Sequence, residues 1–463
     1  MNAKKPSPTP RRLVLRGVIL TAALLFRQAT ALATSSVPAD LSLAGDWTVK
    51  VSVPAHSAGN PTANAIAAVL EVAVPAFVAV RAERHDSLPC FDGKAFGWVK
   101  GDRLGALCAQ ETTTPFLLDP ASLNLRAGPE AEAETFRRGE DFEADLQWGT
   151  VGRKPEGRIK EGQPVFISYR YAPLRLDAIV LTRDGAIVLR PGEPRTSVPK
   201  PPKVAPDERH LGNVWIPGAR AKLGPENLFP VLETAFPEPA RQTRTAAEQF
   251  APRTMKKLRT GEPLRILAWG DSVTDGGNLP HPETDRWQAQ FLVRLRARFP
   301  RARIELITEA WGGRNTDSYL QQPPGSPHNY REQVLAAKPD LIVSEFVNDA
   351  GLTPEQVETV YGRFLADFTE IGAEWIPMTP HYIRPDMMGL NRERDIDDDP
   401  RPYVPGLREF AAKHNLALAD GSRRYGRLWR QGIPYSTLFL NSINHPDADG
   451  MKIFADALMA LFP

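Results

Sequence analysis

Cysteine is scarce in this chain, with 2 among 463 residues, and no paired-histidine spacing accompanies it. That argues against a structural or catalytic zinc site, whose ligands come in closely spaced Cys and His pairs, and no cofactor is called for. Charge of one sign is lacking too: 57 basic and 55 acidic residues leave a formal net charge of +2. Neither a nucleic-acid footprint nor an acidic tail is indicated. No apolar run approaches the roughly 20 residues that a bilayer span requires, and no internal repeat is found. Proline is abundant instead, at 44 residues, which fits a chain rich in loops and turns better than a helical bundle. A length of 463 residues exceeds what one hydrophobic core usually organises, so two domains are expected.

The N-terminus reads as an export address. Lys4, Lys5, Arg11, Arg12 and Arg16 precede a mostly apolar stretch from Gly17 to Phe26, and Ala31-Leu32-Ala33 offers a small-residue cleavage site. The Arg11-Arg12 pair is of the twin-arginine type. Residues 1–33 are therefore expected to be a signal peptide, the protein to be exported to the periplasm or beyond the cell, and no stable membrane insertion to remain after cleavage. In such an oxidising compartment a Cys90–Cys108 disulfide is expected, with two free thiols as the alternative.

Between about residues 40 and 200 the sequence favours short strands. "WTVKVSV", "VLEVAVPAFVAV" and "PVFISYRYAPLRLDAIVLTRDGAIVLRPG" are rich in Val and Ile and broken by Asp-Gly, Pro and Gly, as an antiparallel sandwich or barrel requires. Asp184-Gly185 between apolar runs is the clearest hairpin signal. Residues 201–246, opening on "PPKVAPDER", are expected to be a loop-rich linker. Past Ala246 the texture changes to alternating strands and helices: "LRILAW", "ARIELITEAW", "DLIVSEF", "EWIPMTP" and "LALAD" as strands, with Trp287, Phe291 and Leu295 on one face of an intervening helix. Thr353-Pro354 reads as an N-cap followed by the first helical residue. Five such strands predict a mainly parallel three-layer α/β/α sheet over residues 247–463, preceded by a β-rich, sandwich-like domain.

Ligands bind such a sheet outside the carboxyl ends of its strands. Those ends carry "GDSVTDGG", "WGGRNTDS" and "VNDAG", and "NHP" stands before the last helix. With these four blocks the C-terminal half resembles the SGNH (GDSL-type) esterases and lipases. The resemblance implies a flavodoxin-like sheet, Ser272 as nucleophile, His445 as general base, and an oxyanion hole from Ser272, Gly313 and Asn348. The doubled glycine leaves Gly312 and Gly313 in competition. The residue chemistry agrees: a serine hydroxyl needs a base in reach, imidazole titrates in the useful range, and an amide such as Asn348 donates without ionising. Thr274 stands where an α/β-hydrolase elbow needs glycine.

Two departures from the family stand out. Ser442 occupies the place, three residues before His445, where an aspartate is usual, and Phe346 replaces a glycine of the third block. What orients His445 is left open among a backbone carbonyl, Ser442, a carboxylate such as Asp447 or Asp349, or a weakened site. Asp271, Asp275, Arg314 and His381 lie near the blocks and are candidate orienting or substrate contacts, each also explained by a loop or structural role. The acidic run "DIDDDP" at 395–400 lacks the glycine and glutamate of a calcium loop and reads as solvated. The function expected is an exported serine esterase, forming an acyl-serine and acting on a small-molecule or polysaccharide ester, foremost a carbohydrate O-acetyl ester. A lipase, lysophospholipase or thioesterase, and a non-catalytic carbohydrate-binding protein, are the alternatives.

Overall fold

A computed structural model describes residues 37–55, 65–240 and 242–463. The leader expected over residues 1–33 lies outside them. Among the described residues no helix is long and apolar enough to cross a membrane.

The C-terminal half is organised around the strand Pro263–Gly270, buried on both faces. Leu264, Ile266 and Ala268 enter one core, while Leu267 and Trp269 enter another on the opposite side, the two-residue alternation of a strand covered twice. This strand pairs in parallel with Arg303–Ala310 and with Leu341–Glu345. Glu374–Thr379 and Ala419–Asp420 extend the sheet to five parallel strands. Numbered along the chain, their spatial order is 2-1-3-4-5, the flavodoxin-like winding, whose direction reverses between the first and third strands.

Helices cover both faces. Trp287–Arg298 and Ala448–Met459 lie over the first core through Trp287, Phe291, Phe454 and Leu458. Pro354–Glu370 and Tyr403–Lys413 cover the second through Phe364, Phe368, Val404 and Phe410. The long helix starts where its sequence says it should. Thr353 Oγ accepts the Gln356 N–H, the Gln356 side chain answers to the Thr353 N–H, and Pro354 sits where no N–H is required. Gly372 beyond its end takes φ +74°, which stops the helix.

The N-terminal half is made of antiparallel sheets. Asp40–Gly45, Thr48–Val53 and Ile66–Glu71 form one, and Leu174–Leu181 with Ile187–Arg190, Arg209–Pro217 and Leu228–Pro230 form another. These two share a core of Val49, Val51, Ile179, Val214 and Ile216. The Asp184-Gly185 hairpin forms as expected, with Gly185 at φ +88°. A second core, holding Leu104, Leu125, Ile167 and Tyr169, lies beneath the sheets built on Val165–Tyr171 and Thr150–Arg153.

Two expectations need correction. The stretch 201–246 is more than a linker: Arg209–Pro217 pairs antiparallel with Leu174–Leu181 along its length and buries Leu211, Val214 and Ile216. Proline-rich flanks hid a strand that tertiary pairing supports. The disulfide is absent, since Cys90 and Cys108 are both free. Cys90 is bridged to Arg153 and Cys108 is paired with Thr113, so separate backbone ladders hold the two thiols.

The halves meet over a polar and aromatic seam. Asn213 Nδ2 donates to Gly432 O at 2.7 Å, Leu232 N–H to Arg430 O at 2.7 Å, and Trp429 joins the second β-rich core. A short hairpin, Cys108–Ala109 with Thr112–Thr113, carries the β-rich half onto the loop before the last helix.

Candidate active site

The first strand ends at Gly270, and only glycine fits there. A Cβ would stand 2.2 Å from Thr274 Oγ1 and 2.4 Å from the Glu345 carbonyl oxygen. Asp271 follows, completely buried, with Oδ1 accepting the Val273 N–H and Oδ2 accepting the Asn348 N–H, both at 3.0 Å. It therefore ties the first block to the third rather than facing a substrate. Burial pushes its carboxyl up to about 7 against the pull of those two N–H groups. Ser272 opens the short helix Ser272–Asp275 and stays partly exposed.

The second and third blocks flank the serine. Gly312, Gly313, Arg314 and Asn348 are all exposed. Gly312 is the glycine beside Ser272, its ideal Cβ position 3.8 Å from Ser272 Cβ, while Gly313 adopts φ +70° with open space around it. Asn348 Nδ2 donates to Arg314 O at 3.2 Å, and the Arg314 guanidinium lies over the Trp311 ring. Phe346, in the place of the family glycine, is a buried wedge packed edge-on to Trp269 at 4.8 Å.

His445 sits on a loop shaped by Asn441, whose Oδ1 collects the N–H groups of Ile443, Asn444 and His445 at 2.9–3.0 Å. The imidazole is 14% exposed. Its Nε2 lies 3.2 Å from Ser272 Oγ, which joins the first and fourth blocks across 173 positions of sequence. Its Nδ1 lies 2.6 Å from Asn278 Nδ2 and 3.0 Å from Glu111 Oε1. Burial raises the Glu111 carboxyl, yet hydrogen bonds from His445 and Asn441 overcome it and bring the group down to about 2.

The anticipated partners of His445 are engaged elsewhere. The Ser442 hydroxyl pairs with Thr114 Oγ1 at 2.6 Å. Asp447 caps the last helix through the Gly450 N–H and is paired with Lys200. Asp349 is buried against Thr316 and the Tyr361 hydroxyl, and burial pushes it up to about 6. Asp275 turns to the Gly277 N–H. His381 is fully buried beside Phe439 and Phe454 and holds the Asn444 carbonyl at 2.7 Å, so it shapes the histidine loop from below. Burial drives its imidazole down to about 3, which keeps it neutral.

The acidic run is less solvated than expected. Asp399 is buried against Arg401 and Ser422, and Asp397 pairs with Arg430 and Trp429. Among the described residues no group of three or more His, Cys, Asp or Glu side chains is placed to hold a metal ion.

Glu111 and Asn278 were not anticipated from the sequence. Asn278 had a signal, since it lies in the polar loop six residues after Ser272. Glu111 had none: it belongs to "CAQETTT" in the β-rich half, and only the docking of that hairpin brings it to the histidine.

The profile of the GDSL-like lipase/acylhydrolase family matches residues 268–453. No curated protein matches the chain. Among solved structures, a two-domain esterase active on acetylated mannans is similar at 19% identity and a TM-score of 0.36, covering 46% of this chain and 51% of its own. This chain thus spans about half the length of that protein. A catalytic mutant of an acetylxylan esterase from Geobacillus stearothermophilus is 21% identical, with TM-score 0.34 and coverage of 43% and 95%. A member of the lipolytic protein G-D-S-L family from Veillonella parvula is 17% identical, with TM-score 0.30 and coverage of 43% and 98%. Residues 268–453, in the C-terminal half, thus carry a GDSL-like lipase/acylhydrolase domain.

Proposed function

We propose that the protein is an exported carboxylic ester hydrolase that removes O-acetyl groups from carbohydrate, with residues 247–463 as the catalytic part and the β-rich half as its accessory. The observation that carries the reading is the 3.2 Å approach of His445 Nε2 to Ser272 Oγ at the end of the first strand. Such contacts are often long before substrate binds.

In the first step Ser272 Oγ attacks the ester carbonyl carbon, and its proton passes to His445 Nε2. The carbonyl oxygen becomes an oxyanion facing the Ser272 N–H, an amide of the Gly312-Gly313 turn and the Asn348 side chain, which turns from Arg314 to meet it. The alkoxy C–O bond then breaks, and His445 returns its proton to the departing sugar oxygen. Water attacks the acyl-serine with the same histidine as base. Acetate leaves and Ser272 regains its proton.

A sugar rather than a lipid is favoured by the surface beside the histidine loop. The Arg384 N–H donates to Ile443 O at 2.8 Å, and its guanidinium lies over Phe116 and Trp148. Phe96 packs edge-on and Trp98 at a tilt against the same Trp148, with Phe96 50% and Phe116 55% exposed. The exposed rings of Phe96 and Phe116 present the flat apolar face that a pyranose packs against. The test compares p-nitrophenyl acetate, p-nitrophenyl octanoate and an acetylated oligosaccharide. Acetate release from the first and third, lost in Ser272→Ala, is the expected result. A preference for octanoate would overturn the substrate class, and turnover surviving in Ser272→Ala would overturn the mechanism.

A further inference from the structure

We infer that Glu111, from the β-rich half, is the carboxylate that positions His445, so that the catalytic set is completed across the two halves of the chain. This rests on the roles proposed above for Ser272 and His445. When the Ser272 hydroxyl donates to Nε2, neutral imidazole must carry its proton on Nδ1, and that N–H requires an acceptor. Glu111 Oε1, 3.0 Å away, is an acceptor in every ionised state. The Asn278 amide at 2.6 Å can serve only with its oxygen turned inward, and a neutral amide cannot balance the imidazolium formed in the first step. Ser442, Asp447 and Asp349 are committed to other partners.

The placement of Glu111 is built rather than incidental. Its hairpin is fastened by three side-chain bonds to the histidine loop and by one to the loop after Ser272. Thr112 Oγ1 donates to Asn441 O at 2.6 Å, Asn441 Nδ2 to Glu111 Oε1 at 2.8 Å, Thr114 Oγ1 meets Ser442 Oγ at 2.6 Å, and Gln110 Nε2 donates to Asn278 O at 2.5 Å. Behind the tip, the Gly105 N–H is held by Glu83 and the Ala106 N–H by the Tyr169 hydroxyl. The residue that stands where the family has aspartate, Ser442, has become an anchor for the hairpin that brings a carboxylate in from outside.

The experiment compares the full chain with Glu111→Gln and Asn278→Ala. Glu111→Gln can keep its bond from Asn441, so the hairpin stays docked and the unfolding midpoint is unchanged. Turnover of p-nitrophenyl acetate is expected to fall about 10²–10⁴-fold in kcat with KM preserved. The acid limb of kcat/KM should move about one pH unit lower, because imidazolium has lost its counter-charge. Asn278→Ala should cost less than tenfold and leave that limb in place. A loss under tenfold in Glu111→Gln, or a reversal of the two variants, overturns the inference. NMR of the His445 ring gives a readout free of catalysis: the signal of the Nδ1-bound proton should move upfield in Glu111→Gln, where a neutral acceptor replaces the carboxylate, and an unchanged signal overturns the contact. Should the parent show no Ser272-dependent hydrolysis, the proposed function falls, and the Nδ1 proton signal still decides whether Glu111 is the partner of His445.

Discussion

Asn441 is the residue on which the geometry of the site turns, and its replacement yields a quantitative expectation. Its side chain is 2% exposed and makes five hydrogen bonds: three N–H groups converge on Oδ1, and Nδ2 reaches Glu111 Oε1 and Asn444 Oδ1. Asn441→Ala removes all five at once. A typical intramolecular hydrogen bond contributes about 1 kcal/mol net, and a buried N–H left without an acceptor costs about 1–3 kcal/mol. The Ile443 amide is buried, whereas those of Asn444 and His445 lie nearer the rim where water can replace the lost acceptor. A loss of about 4 kcal/mol follows, a large share of the 5–15 kcal/mol by which domains are usually stable. Asn441→Asp separates the two functions of the side chain. It keeps an acceptor for the three N–H groups but sets a carboxylate against Glu111, so the pair must share a proton. Urea unfolding followed by tryptophan fluorescence, with p-nitrophenyl acetate rates alongside, should therefore show Ala losing stability and activity together. Asp should recover most of the stability and little of the rate. Equal destabilisation by the two substitutions, or an Ala variant within 1 kcal/mol of the parent, would refute the reasoning.

Two further outcomes depend on pH. Glu345 is wholly buried next to Asp271 with neither oxygen partnered, and burial raises its carboxyl well above 4.5. The folded protein then keeps a proton that the unfolded chain releases, so stability falls as pH rises above 4.5, by at most about 1.4 kcal/mol per unit for this one group. Glu345→Gln has the same shape and no titration; its advantage over the parent in urea midpoint should widen with pH, and a constant gap would count against a protonated Glu345. His85 also loses stabilisation as pH rises, but through its ion partners rather than its burial. Burial lowers it, but hydrogen bonds to Asp102 and Glu83 prevail and carry it to about 9. Its stabilisation is complete below pH 6.5 and fades as pH climbs through 9, so the deficit of His85→Gln in thermal scans should be largest at pH 6 and shrink by pH 9.

The parallel sheet was legible because local signals agreed with the global pattern. "LRILAW" is apolar on both faces, Trp287, Phe291 and Leu295 share one helical side, and Thr353-Pro354 starts its helix with both capping partners in place. Ser272 and His445 were legible because their neighbours carry recognisable blocks. Arg209–Pro217 was missed because a strand's stability lies in its partners, and a proline-rich approach obscured an alternation that only the pairing with Leu174–Leu181 makes meaningful. Cys90 and Cys108 misled because compartment argues for a bridge while backbone placement decides it. Asp447 read as one candidate carboxylate for the histidine; two residues along the chain, it instead caps the last helix and pairs with Lys200.

The same contrast explains why the carboxylate at His445 comes from so far away. An aspartate three residues before the histidine is placed by its own loop, at little entropic cost. A glutamate that is 46% exposed has three side-chain torsions to fix, and an ion pair at that exposure contributes little by itself. It becomes useful only on a support that has already lost its freedom. The hairpin provides that support: the Gly105 and Ala106 amides just before it are tied to Glu83 and Tyr169, Thr112 and Thr113 are buried, and Asn441 holds the carboxylate from the other side. Entropy that a lone side chain would lose at the active site has been lost instead in the folding of the β-rich half. On this account a substitution at Tyr169, remote from Ser272 in the chain and placed in another core, reaches the rate of hydrolysis through the stiffness of a two-residue tip.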